Sequence, residues 1–297
     1  MNKKIYLYFI LTALIFSCTE RIDIDLESTY PRLCINGIFT TDTTVHKIVI
    51  FHSKDFLKDE EMSMITEAKV KIRCLEDNSV IELTENPEKK GVYETDFNSY
   101  AEFQKSYFLD IELKEEINGY KNYKSEIEKL DMPLEVFNSF ILDSLFLEIE
   151  IKNRGGKKDS FCNLKLYTNE PGESKDFYMF RAYKNNILVT DTLNEWVISE
   201  DKFYNGKNTD GFTCQNLDMN EPEEHIKIGD NVTLEMTRIT ENYFYFLIDI
   251  KTESGYKIPL FSGPPANVVT NMNNKALGFF TVFAPKRISA IRTKISE

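Results

Sequence analysis

The sequence predicts a mainly β protein: an N-terminal Ig-like or transthyretin-like antiparallel β-sandwich, then a second β-rich domain with one or two short helices. Three observations carry this. Apolar and polar residues alternate in short runs, as where Val70, Ile72 and Cys74 are set against Lys69, Lys71 and Arg73, the period of a strand with one wet face. Turn-forming stretches separate these runs at short intervals. A helical period shows clearly in one place, after Thr240.

The first eighteen residues stand apart. Lys3 and Lys4 precede an apolar run from Ile5 to Phe16. As a helix this run reaches about 18 Å, short of a ~30 Å hydrocarbon core, so it reads as a signal-peptide core and not a membrane span. Ser17 and Cys18 follow. Apolar run, small residue, cysteine is the pattern of a bacterial lipoprotein signal. Residues 1–17 are therefore expected to be removed, leaving Cys18 as the lipidated residue. Several acyl chains at ~0.8 kcal/mol per buried CH₂ make a stable anchor, where one makes a marginal one. The polar, acidic residues 18–30 are expected to be a tether.

The N-terminal sandwich is placed at 31–133. Strands are expected near 33–39, 45–52, 70–74, 79–84, 91–96, 107–113 and 120–128, with turns at 85–91 and 116–122. Pro133 interrupts pairing and marks the edge of this unit. The second domain, 134–297, opens with Leu145, Leu147, Ile149 and Ile151 on one strand face and Glu148, Glu150 and Lys152 on the other. Residues 153–159 form a turn. Residues 176–193 read as a hairpin about Asn185-Asn186, which tolerate positive φ. Val232, Leu234 and Met236 mark a further strand. Thr240 then N-caps a helix with Glu241 in its first turn, and Tyr243, Phe246, Leu247 and Ile250 share a face. A buried strand over 243–248 is the rival reading. Gly255 supplies the helix stop, and a Pro/Asn-rich loop leads into a last apolar strand.

Composition bounds the function. A hydrophobic fraction of 42% with 13% aromatics supports a folded core and argues against disorder. Residues 1–17 carry two lysines and no acid, so the remainder holds 34 basic and 48 acidic residues, a balance of −14. That charge repels nucleic acid and anionic headgroups, and membrane contact is expected through the lipid anchor on Cys18. Cys34, Cys74, Cys162 and Cys214 remain. An exported chain permits disulfides in any of three pairings. Cys34 and Cys74 lie in strand-like segments where a buried thiol behaves as a small apolar residue, which favours buried thiols.

Chemistry is harder to find. The chain has no G-x-S-x-G elbow, H-E-x-x-H helix, Walker loop or G-x-G-x-x-G turn. No catalytic residue, metal or cofactor is nominated, and a non-enzyme is expected. His46 and His52 share a strand face but lie ~20 Å apart, too far to hold one metal, and His225 sits in an acidic, solvated loop. The 201–211 loop offers oxygen ligands without the spacing of a calcium loop. The acidic runs Asp59-Glu60-Glu61 and Glu221, Glu223 and Glu224 read as solvated. The aromatic clusters at 177–183, at Trp196 with 203–206, and at 279–283 read as core, with any exposed member offering a stacking surface.

Taken in order, Cys18, the acidic 22–26, PRLCINGIFTTD at 31–42, GESKDFYMFRAYKNN at 172–186, IGDNVTLEMTRITENYFYFL at 228–247 and the tail at 259–283 resemble the Bacteroidetes family called domain of unknown function 4249. The likeness covers nearly the whole chain after Cys18. Its most specific part is the tail: Pro264-Pro265, an Asn-rich turn and Ala276-Leu277-Gly278-Phe279-Phe280. Pro259-Leu260-Phe261 stands where the family commonly has Asn-Pro-Phe, and Asn271-Met272 where it has Asn-Ile. The resemblance implies a lipid-anchored protein of the outer membrane, often encoded beside TonB-dependent receptors. It thus implies a non-enzymatic accessory or ligand-binding partner of a TonB-dependent nutrient transporter, with surface adhesion or an envelope-structural role as the alternative. It carries over no catalytic residues. It implies surface display, although Arg21 interrupts the acidic Glu20, Asp23 and Asp25, which leaves the leaflet open. Asp143-Ser144-Leu145 and Asp191-Thr192-Leu193 resemble an O-glycosylation sequon.

Overall fold

The computed structural model describes residues 31–53, 62–170, 172, 175–254 and 268–294. The signal peptide, Cys18, the tether, the acidic run 59–61, Gly255 and the Pro-Pro loop lie outside them. Alternation sets the first strands: β1 (Leu33–Thr40), β2 (Lys47–His52), β3 (Lys69–Cys74), β4 (Val80–Glu85), β5 (Val92–Glu94), β6 (Ser106–Ile117), β7 (Tyr120–Lys124) and β8 (Glu128–Lys129). With β16 (Leu277–Phe283) they form a nine-stranded sheet in the order β16-β1-β2-β5-β4-β3-β6-β7, with β8 on β6. Strands β4 and β5 share only two residue pairs, and the two sides of that narrow link share one core. Ile35, Ile48 and Ile50 from one side meet Val70, Ile72, Leu109 and Ile111 from the other. This is the expected sandwich with a difference: β16 comes from near the C-terminus and pairs with β1 in parallel. The sandwich is therefore neither wholly antiparallel nor built from residues 31–133 alone.

Pro133 precedes a short helix, α1 (Leu134–Ser139), which the sequence pattern did not signal. The second β-rich region has two sheets. Strands β9 (Leu142–Arg154), β10 (Lys157–Thr168) and β14 (Phe212–Asp218) form one. The other runs β12-β11-β15-β17, with β13 on β11: β11 (Phe177–Lys184), β12 (Ile187–Leu188), β13 (Val197–Glu200), β15 (Asn231–Ile239) and β17 (Pro285–Ile291). Asn185 and Asn186 take φ of +50° and +68° at the β11–β12 turn, as a tight hairpin demands. Cys162, Leu164 and Leu166 pack against Tyr178, Phe180, Leu234 and Met236 between the two sheets. Cys34, Cys74, Cys162 and Cys214 are free thiols and buried.

Helix α2 (Glu241–Ser254) forms where expected. Its Tyr243 amide donates to Thr240 Oγ1 at 3.3 Å, an N-cap bond. Tyr243, Phe244, Phe246 and Leu247 pack on Phe177, Met179 and Trp196 and on Phe279 and Phe283 of β16. The aromatic clusters are therefore largely core, and α2 ties the second region to the strand that completes the first. Residues 31–297 accordingly form one compact unit.

The tail motif has a local cause. Gly278 sits at φ +99°, and a Cβ there would collide with the Ile35 carbonyl. Asn271 donates to Phe280 O at 2.7 Å and accepts from Phe280 N at 3.0 Å. Its side chain thus gives β16 the two hydrogen bonds of a further strand, and a buried backbone requires such partners.

Candidate functional site

Alternation on the five-stranded sheet sends Phe180, Ala182, Leu234 and Met236 into the core of the second region. The intervening residues Arg181, Tyr183, Thr233, Glu235 and Arg287 belong to the opposite face. Register places Arg181 opposite Glu235 on one side and Arg287 opposite it on the other. Glu235 is fully buried. Arg181 donates to it from Nε at 2.7 Å and from Nη2, Arg287 from Nε at 2.9 Å and Nη2 at 2.6 Å, and Tyr183 from its hydroxyl at 3.1 Å. Charge-assisted bonds of this kind answer the large cost of a buried carboxylate. Arg287 also forks onto Asp42 of the β1–β2 turn, at 3.0 and 2.5 Å. The network thereby joins the first sandwich to the second region. Burial works against the Arg287 cation, but Asp42 and Glu235 hold its pKa above the usual value.

A cleft of about 660 Å³ opens over this network, lined by Asp42, Thr44, His46, Arg181, Tyr183 and Arg287 among others. That size falls within the range of small-molecule sites. His46, expected to be an ordinary strand-end residue, forms part of its wall. Its Nε2 lies 2.9 Å from Thr40 Oγ1, while Nδ1 is buried with no partner among the described residues. Burial pushes the imidazole down to about 4, against the opposing pull of Asp42. The hydroxyl–imidazole pair thus has a weak base and no carboxylate on Nδ1, the group that orients the base in a catalytic triad.

Two other places gather functional groups. Glu170, Asp176 and Asp201 are buried, with carboxylate oxygens within 4.8 Å of one another. Carboxylate oxygens suit a hard cation such as Ca²⁺, but that ion takes about six to eight oxygen ligands. Arg238 Nη2 lies 2.5 Å from Asp176 Oδ1. Glu170 accepts from the Tyr178 hydroxyl at 3.0 Å and the Gly206 amide at 2.6 Å, and burial raises the pKa of both Glu170 and Asp201. The Arg238 guanidinium, the Tyr178 hydroxyl and the Gly206 amide offset the repulsion within the cluster. The second place is an apolar cavity of about 430 Å³ between α2 and the β1–β2–β16 face, lined by Cys34, Val49, Phe51, Tyr243, Phe246 and Ile250 among others. Burial pushes the Cys34 thiol up to about 11, with Arg32 opposing, so it is neutral.

His52 caps the far end of β2, away from His46, and His225 is exposed, its Nδ1 2.7 Å from Met219 O. Ser144 and Thr192 of the two sequon-like triplets are both exposed. Asp201, noted as the start of a loop with poor calcium spacing, meets Glu170 and Asp176 because β13 pairs with β11. Neither this cluster nor Glu235 was nominated from sequence. One signal for Glu235 was available: a lone acid between Leu234 and Met236 on a strand with no other acid.

Two packed β-rich regions, a strand shared across the length of the chain and a charge-paired cleft at their junction define a mainly β protein with a ligand-sized site. The chain belongs to the family described as Domain of unknown function (DUF4249), whose model matches residues 19–289. No curated protein sequence matches it.

Proposed function

We propose that the chain is an outer-membrane lipoprotein, anchored by acyl chains on Cys18, that binds a small ligand without transforming it and serves a TonB-dependent nutrient transporter as an accessory. The observation that carries this is the cleft at the junction. It is large enough for a small ligand, and its walls come from both β-rich regions. Its strong hydrogen-bonding groups are already fixed by one another, which favours a preorganised binding site. The Thr40–His46 pair lacks the third member that a nucleophile and base require. The small residue and cysteine after residues 5–16 support the anchor, and no helix among the described residues is long and apolar enough to cross a membrane.

The test is affinity capture of tagged, full-length protein from native membranes, with mass spectrometry of co-purifying proteins and small molecules. Recovery of an outer-membrane barrel, together with a small molecule released on denaturation, is the expected outcome. Recovery of neither overturns the reading. A deletion strain that loses surface attachment while nutrient uptake stays normal turns it towards adhesion.

A further inference from the structure

We propose that the cleft between the β1–β2 turn and the Arg181–Glu235–Arg287 face is a polyol site that takes a saccharide through adjacent hydroxyl groups. The inference rests on the binding reading above and names the ligand class. Guanidinium groups only donate hydrogen bonds and carboxylates only accept them. The wall presents Arg181, Arg287 and Asp42, and Glu235, buried beneath it, holds the two guanidinium groups in place. Four of the five Arg287 N–H groups are spent, one from Nε, one from Nη1 and two from Nη2. An anionic ligand would have to displace carboxylates already held, one of them fully buried. A cationic ligand would meet Arg181, Arg287 and Lys47 in the same lining.

A hydroxyl fits this wall because one oxygen both donates and accepts. It can take a remaining Arg181 N–H and give its proton to Asp42, and a second hydroxyl on the next carbon extends the pattern. Arg181 bonds Glu235 through Nε and Nη2, while Nη1 meets no hydrogen-bond partner among the described residues. The guanidinium lies 5.3 Å over Trp196 and is thereby held in place. Thr43, Thr44 and Asn186 add neutral donors and acceptors around the opening, and the Tyr183 ring is fixed by its bond to Glu235.

The test is saturation-transfer NMR on the full chain, purified in a detergent without a sugar headgroup, with millimolar cellobiose, maltose, lactose and, separately, succinate. The expected result is transfer to ring protons of at least one disaccharide and none to succinate. Thr44→Trp, which fills the cleft, should abolish the signal, and Asp42→Asn should weaken binding about tenfold. Thr43→Trp serves in its place if Thr44→Trp does not keep the wild-type circular dichroism and melting temperature. No transfer to any disaccharide, or equal transfer in wild type and the filled variant, overturns the polyol assignment. Transfer to succinate alone overturns it too but leaves the binding reading standing. That reading fails only on the membrane capture described above.

Discussion

Glu128 is buried with neutral partners: Asn271 Nδ2 at 3.3 Å and the Thr240 and Thr281 hydroxyls at 3.5 Å. Burial pushes its carboxyl up to about 7, nearby Glu126 adds to this, and the three hydrogen bonds oppose it. The folded state therefore keeps a proton that the unfolded chain releases near pH 4.5, so stability falls as pH rises through that window, by about 3 kcal/mol. Glu128→Gln mimics the protonated form. It should match wild type in urea unfolding at pH 5 and exceed it at pH 8. His46 contributes the opposite slope: its folded pKa is depressed to about 4, so its contribution is complete above pH 6.5 and is lost as pH falls. Both proteins carry that slope, and the comparison cancels it. Gly278→Ala should cost roughly 1–3 kcal/mol for its positive φ alone, with the collision at Ile35 added, read as a lowered urea midpoint. The resemblance flagged Gly278, whereas a lone Glu beside Lys129 gave no sign of burial.

Helix α2 and the three charged strands carry predictions of their own. Thr240→Ala removes the cap and should cost about 1 kcal/mol. Arg287→Met leaves Glu235 buried with one guanidinium and should cost about 3–5 kcal/mol. Replacing Arg181, Glu235 and Arg287 together with apolar residues should recover much of that, and a mutant cycle measured by urea unfolding checks both. At this scale the sequence was legible in part: β10, β14 and β17 were not expected, and the turn expected at 153–159 is narrower, because β9 runs to Arg154 and β10 starts at Lys157. The period of two located β1 to β7, β9, β11 and β15, and Glu241, Lys251 and Gly255 selected helix over strand at 241–254. Helix α1 was missed because six residues, none of them buried, are too few to show a period. The site was missed because it depends on register: Arg181 is 235 − 181 = 54 residues from Glu235, and no local pattern pairs them.

The whole molecule should unfold in one transition for residues 31–297, since α2 and β16 are packed into both regions. Reductant should leave the midpoint unchanged, because all four described cysteines are free thiols. A fragment of residues 31–133 should fail to fold stably, for it lacks β16 and leaves the β1 edge unpaired; sharp, dispersed NMR signals from that fragment would refute this. Mainly β architecture was readable in full, since alternation is a local property. The return of the tail to β1 was not, because Cys34 and Leu277 are 277 − 34 = 243 residues apart and contacts so remote leave no periodic trace. That pairing also imposes an order on biogenesis. While residue 277 is still unmade, the first sheet has an open flank able to recruit a strand from another copy. Closing it demands a search across most of the chain, which makes folding slow. Synthesis as far as Phe283 thus becomes a condition of maturation, and a prematurely terminated product advertises itself to proteases and chaperones through the vacant place beside β1.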